Sequence, residues 1–463
     1  MSTQTRQARL TTGPVGRHLL DMSVPVLFGI SMMMAQSFAD AYFIGRVGDA
    51  ELAALSFAFP ILMIVTSVAI GLGAGTSSVV ARAYGADDEA RARRLATDSL
   101  ILSFLVTGAI SAVGLVTIEP LFGVLGAPAE MMPLIEGYMR ILYFSIPLLV
   151  VGMVGVSAMR ATGDTRLPSK LMMIGAVTNI VLDPMFIFGL GPIPGLGLNG
   201  AAWAAFITRC MIFAGTIYFM HVRLGMLSLE RPSYAELKRS WVDVLHVGMP
   251  AAGTNAIIPA ATAVVTAMLA RHGPDAVAGF GAASRVEAMT LVPFYALSSI
   301  IGPFVGQNMS AGRSDRIFRA LHLCTVFCLG TGLLIAIALF ALSGILPKLF
   351  SDTPEVIRVA RQFLWIAPIS YGTYGMVMVM NATFNGMGKP MPAVYVSVGR
   401  MCVIYIPIAV VLDRYFGVAG IFAAYAIANA TMGVLSYGWA RASVQAQCDK
   451  HGPQVAAPAH EKA

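Results

Sequence analysis

The sequence predicts an all-α integral membrane protein with twelve transmembrane helices in two pseudo-symmetric six-helix lobes. Three observations carry that prediction. Of 463 residues, 57% are hydrophobic and only 12% charged, with a mean hydropathy of +0.74, whereas soluble domains carry about 25% charged residues. Twelve apolar windows alternate with short polar connections. The second half of the chain also echoes the first at a nearly constant offset.

A spanning helix needs about 20 mainly apolar residues. Such windows fall near residues 20–44, 55–80, 96–118, 137–159, 169–190, 200–221, 244–270, 277–306, 318–346, 360–384, 392–413 and 416–438. The first follows Arg6, Arg9 and Arg17. It is too long for a signal-peptide core and has no small-residue cleavage site before it, so it reads as a retained span. The second contains "GLGAG" (71–75), where glycines inside an apolar helix allow close helix packing. The fifth follows the Pro168–Lys170 loop, and the last two are separated only by 413–416, a gap short enough to hide a merger. The one long polar connection is "VRLGMLSLERPSYAELKRSWVD" (222–243). The predicted organisation is an N-terminal lobe over 1–222, a cytoplasmic inter-lobe loop over 223–243, a C-terminal lobe over 244–440 and a disordered cytoplasmic tail over 441–463.

Charge placement tests the count independently. With the N-terminus cytoplasmic, inner loops and tails hold 21 Lys and Arg and outer loops hold 6, while Arg140, Arg209, Arg285 and Arg400 lie inside windows. The positive-inside rule then puts both termini in the cytoplasm, and one missed helix would scramble the alternation. Basic residues form no long stripe with interleaved aromatics, which excludes nucleic acid as a partner despite a net charge of +7. The five cysteines show no disulfide or metal framework, and Cys324 and Cys328 read as small core residues.

At an offset of 225, Pro25 matches Pro250, Arg46 matches Arg271, Ser145 matches Ser370 and Gly163 matches Gly388. Small insertions then shift the pairs to Gly197/Gly417 and Gly200/Gly420. Six helices per half is an even number, so the halves share one orientation and are related by an axis along the membrane normal. Two similar bundles flanking a cleft suit alternating access. No nucleotide signature is present: "FNGMGKP" (384–390) lacks P-loop spacing. Uphill transport would therefore draw on an ion gradient, without a cofactor. The absence of a catalytic cluster argues against a membrane-embedded enzyme, and the two-lobe repeat argues against a passive channel.

Acids inside the windows are the most informative residues. Asp40, Asp183 and Glu287 are the clear cases, with Glu136 and Asp413 at window ends. An ionised Asp at a helix centre costs about 2.5–3.5 kcal/mol on insertion scales, so such a group faces a bundle interior or a wet cavity and marks an ion path. Asp40 and Asp183 both fall late in outward-running helices. Asn179 precedes Asp183 by four residues and shares its helical face. Two carboxylates and an amide can share a proton or hold a small hard cation such as Na⁺. An end-of-helix pairing of Asp40 with Arg46 is the plainer alternative. At offset 225 Asp40 meets Val265, so the repeat does not dictate the acid. Pro25 and Pro250 remove a helical hydrogen bond near the start of their spans, as hinges or as static kinks. Arg285 and Glu287 project in different directions from one helix and are expected to orient the C-terminal lobe or line the cleft.

The stretches "SFADAYFIGRVGDAELAALSFAFP" (37–60), "GDTRLPSKLMMIGAVTNIVLDPMFIFGLG" (163–191), "GLGLNGAAWAA" (195–205) and "FVGQNMSAGR" (304–313) resemble the multidrug and toxic compound extrusion (MATE) family. The resemblance implies two six-helix lobes forming a V and export of lipophilic cationic compounds in exchange for H⁺ or Na⁺. It further implies a monomer in the cell inner membrane. Carried over residue by residue, it implies a coupling site at Asp40, Asn179 and Asp183, with Tyr138 hydrogen-bonding there and Pro25 bending the first helix. Where some members have acids in the seventh and tenth helices, this chain offers Asn255 and Asn381, a pattern similar to the DinF-like branch. Ala205 stands where several relatives have Thr; losing that oxygen favours H⁺ over Na⁺. A lipid-linked oligosaccharide flippase of the same superfamily is the alternative, favoured by the four intramembrane arginines.

Overall fold

Among the described residues, breaks within and between the twelve apolar windows leave sixteen α-helices. The computed structural model describes residues 10–190 and 194–451; Arg6, Arg9 and residues 452–463 of the expected tail lie outside them. The helices are α1 (Val15–Gly45), α2 (Asp49–Gly85), α3 (Glu89–Val116), the short α4 (Ile118–Val124), α5 (Met132–Ala161), α6 (Arg166–Ile187), α7 (Leu198–Tyr218), α8 (Tyr234–Ala270), α9 (Pro274–Thr290), α10 (Val292–Ser310), α11 (Ser314–Leu342), α12 (Pro354–Ile366), α13 (Tyr371–Gly386), α14 (Met391–Val398), α15 (Ile406–Phe416) and α16 (Val418–His451). Eleven stretches are long and apolar enough to cross a membrane, and the bent pair α9–α10 makes twelve.

Three sequence expectations change in detail. The eighth window is not one rod: α9 and α10 meet at a 48° bend beside Pro293, which has no N–H to continue the ladder. The connection 222–243 is not a loop throughout. Ser233 Oγ accepts from Glu236 N at 3.3 Å and the Glu236 carboxylate accepts from Ser233 N at 3.0 Å, a capping box that starts α8 ten residues before the apolar run. The segment 441–451 is not disordered, because α16 continues through it. The last two windows do not merge, since Gly417 at φ +58° breaks the chain between α15 and α16.

Two hydrophobic cores form, and each borrows the first half of a helix from the other part of the chain. Leu10, just ahead of α1, and Val15, Leu19, Met22 and Val26 at its start pack in the core built mostly from α9–α16. Ile44, at the end of α1, belongs to the N-terminal core. Conversely, Val244 near the start of α8 packs in the N-terminal core, whereas Ala261, Val265 and Leu269 pack in the C-terminal one. Cys324 and Cys328 are buried in the C-terminal core.

The halves meet closely along α2 and α8. A Cβ on Gly75 would lie 2.3 Å from Val244 O, and one on Gly71 would lie 2.5 Å from Ala252 Cβ, so "GLGAG" is an inter-lobe contact that only a missing side chain allows. Hydrogen bonds between the halves gather at the face where α1 starts. Ser78 Oγ donates to Asn385 O at 2.5 Å and Gln307 Nε2 to Ala161 O at 2.7 Å. Arg91 pairs with Asp243 at 3.0 Å. Residues ahead of α1 are strapped to α10 and α11: Arg316 Nη1 donates to Gly13 O at 2.6 Å, and Leu10 N donates to Gln307 Oε1 at 3.2 Å.

Candidate ion-coupling site in the N-terminal lobe

Helical spacing puts Asn179 and Asp183 one turn apart on α6, and both side chains are buried, with 2% and 1% exposure. Asp40 approaches them from α1 and is half-buried. The carboxyl groups of Asp40 and Asp183 face each other within hydrogen-bonding reach. Neither carboxylate supplies a hydrogen, so that contact is a bond only when one proton lies between them. Asn179 Nδ2 donates to Asp183 Oδ1 at 2.8 Å. Asp183 Oδ2 and Asp40 Oδ1 are buried and accept no hydrogen bond from a protein donor. Two ionised, under-bonded carboxylates in an apolar lobe are costly, and one shared proton removes both the repulsion and one of the charges.

Residues on two further helices complete the pocket. Tyr138 on α5 is buried and within electrostatic reach of both acids and of Arg209. Arg209 on α7 donates through Nη1 to Ser145 Oγ on α5 and faces Asp40 electrostatically. Gln36, one turn before Asp40 on α1, donates through Nε2 to Asn179 Oδ1 at 2.7 Å, and its amide also reaches Asp40. Sequence reasoning assigned neither Gln36 nor Arg209 to this pocket. The available signals were the four-residue spacing of Gln36 from Asp40 and the lone cation in an apolar window. Arg46 does not pair with Asp40; its guanidinium lies 5.1 Å from the centroid of the Tyr42 ring. Pro25 sits in α1 between Met22 and Val26, both packed in the C-terminal core.

The expected C-terminal residues separate. Glu287 accepts from Tyr425 Oη at 2.9 Å and lies beside Tyr371 and within electrostatic reach of Arg400. Arg400, in the π-helical turn joining α14 to α15, donates to Asn429 Oδ1 at 2.8 Å and lies 4.6 Å from the Tyr374 centroid. Asn429 Nδ2 in turn donates to Ser370 Oγ at 3.1 Å. Arg285 is exposed. Asn255 donates to Ala251 O one turn back at 2.9 Å, and Asn381 to Ser397 Oγ at 3.0 Å; neither is bonded to Glu287. Among the described residues no three His, Cys, Asp or Glu side chains gather as a metal site.

The MatE family profile matches residues 25–185 and 250–411. The chain is 38% identical over 428 residues to a FAD transporter of Shewanella oneidensis, covering 92% of this chain and 95% of that protein. It is 25% identical to the probable multidrug resistance protein YoeA of Bacillus subtilis, covering 90% and 91%. Its structure is similar to that of the Vibrio cholerae MATE transporter VcmN in the bent form, with a TM-score of 0.88 and 29% identity over 96% of this chain and 100% of that one.

Proposed function

The chain belongs to the MatE family of membrane transporters, and we propose that it is a secondary antiporter that exports organic solutes in exchange for protons by alternating access. The observation that carries this reading is the facing pair Asp40 and Asp183, each with a buried oxygen that no protein donor satisfies. Asp40 rides on α1, whose opposite end is packed in the other core. Placing or removing a proton on the pair changes the charge that holds the end of α1 against α6. Because α1 bridges both cores, that local change acts on the contact between the lobes, with Pro25 as the hinge and Tyr138 and Asn179 steadying the acids. The protein is multi-pass and not an enzyme. We place it in the inner membrane as a monomer with both termini cytoplasmic, in line with the distribution of Lys and Arg.

The proposed cargo is lipophilic cations, a class of compound in keeping with relatives named as multidrug resistance and multidrug export proteins. A second reading of the cargo is FAD, a large anion. It is supported by the 38% identity to the Shewanella protein and by the arginines Arg209 and Arg400 deep in the two lobes. Purified protein in liposomes, driven separately by a pH or a Na⁺ gradient, tests both. A pH gradient is expected to drive movement of a fluorescent cation or of FAD, followed by its own fluorescence, and Asp40→Asn to abolish it. Equal behaviour of wild type and Asp40→Asn under either gradient overturns antiport at this site.

A further inference from the structure

We propose that Gln36 and Arg209 are the specificity-determining residues that make the acid pair a proton site and exclude Na⁺; this rests on the coupling site proposed above. A hard cation takes about six oxygen ligands, water included, and holding it firmly needs several from the protein. The pocket begins with few and spends one. Asn179 Oδ1, the neutral oxygen best placed to join the two carboxylates around a cation, already accepts from Gln36 Nε2 at 2.7 Å, and Asn179 turns its NH₂ group toward Asp183 at 2.8 Å. Flipping that amide would set one NH₂ group against another at Gln36. Of the acids' own oxygens, Asp40 Oδ1 and Asp183 Oδ2 are buried without a protein donor. Two oxygens suffice for a proton, which is held covalently by one and shared with the other. They do not make a metal-ion shell.

Arg209 acts in the same direction. Its guanidinium is fixed by Ser145 and faces Asp40 from α7, so one positive charge is already installed beside the acids. Its charge weakens the hold of the two acids on any second cation. A uniform loss of affinity empties the weakly held metal ion first, because the proton gains a covalent O–H bond. The titratable and charged groups facing the pocket are Asp40 from α1, Tyr138 from α5, Asp183 from α6 and Arg209 from α7. The internal repeat does not dictate the arginine. At the offset of 220 that pairs Gly197 with Gly417, Arg209 corresponds to Asn429, and the two side chains bond to the corresponding serines Ser145 and Ser370. The N-terminal lobe has replaced a neutral amide with a cation at the one node that faces its acids.

Equilibrium binding of radiolabelled Na⁺ to the purified full-length protein at alkaline pH tests the assignment without gradient or cargo. Wild type is expected to show no saturable binding. The double variant Gln36→Ala/Arg209→Met is expected to gain saturable binding that disappears when Asp183→Asn is added. Arg209→Lys, which keeps the charge, is expected to stay silent. Folding is checked by size exclusion and melting. If Arg209 variants do not fold, Gln36→Ala alone, at a half-buried position, decides by gain or no gain of Asp183-dependent binding. Asp183-dependent Na⁺ binding by wild type, or none in a folded double variant, overturns the proposal. Either result is separate from failure of proton-driven transport in liposomes.

Discussion

Both lobes bury an acid and an arginine, and they use them in opposite ways. In the C-terminal lobe, Glu287 accepts from Tyr425 while Arg400 is held by Asn429 and stacked on Tyr374. That acid has a tyrosine donor, with a cation within electrostatic reach. In the N-terminal lobe, Asp40 and Asp183 face each other and leave one oxygen apiece without a donor. The acid of the C-terminal lobe thus has a tyrosine donor, whereas the facing acids of the N-terminal lobe keep an unbonded oxygen each, and the difference lies in who donates to the carboxylate.

The largest expected contrast is in transport. Asp183→Asn is expected to reduce pH-driven flux to that of empty liposomes, while Glu287→Gln, which keeps an acceptor for Tyr425, retains most of it. Equal loss in both would mean that the lobes share the coupling work. Next comes stability in detergent, read by thermal melting. Arg400→Met removes the buried hydrogen bond to Asn429 and the ring contact with Tyr374 and is expected to cost about 1–3 kcal/mol. Tyr425→Phe removes one donor from Glu287 and is expected to cost about 1–3 kcal/mol. A Tyr425→Phe melt that matches wild type would show that the C-terminal acid is no better satisfied than the N-terminal pair. Smallest is Arg285→Gln, expected within about 0.5 kcal/mol because the side chain is exposed and away from these features. A large loss there would bring Arg285 back into the C-terminal network.

Twelve spans were legible because apolar windows of membrane length and the alternation of basic loops are local properties of the chain. The bend at Leu291 had a local sign in Pro293, and the early start of α8 had one in the Ser233–Glu236 pair, yet hydropathy overrides neither until a capping geometry is in view. Asp40, Asn179 and Asp183 could be singled out because an acid in an apolar window is conspicuous by its cost. Their partners could not. Gln36 bonds to Asn179 across 143 residues of chain, and Arg209 to Ser145 across 64. Such pairs depend on how helices rotate against one another, which the hydrophobic pattern of near-uniformly apolar helices does not specify. Glu287 was visible for the same reason as Asp40, but the tyrosines around it come from α10, α13, α15 and α16 and the turns beside them, and nothing in sequence spacing gathers them.

The exchanged helix halves carry a consequence for how the chain is made. Val244 fills the first core from beyond the midpoint of the sequence, and Leu10 to Val26 fill the second from its very beginning. During synthesis the earliest residues must therefore wait, already in the bilayer, for a scaffold translated much later. Two separately expressed halves, cut between residues 224 and 233, would each emerge with a gap in the interior, and would regain a complete fold only by finding one another.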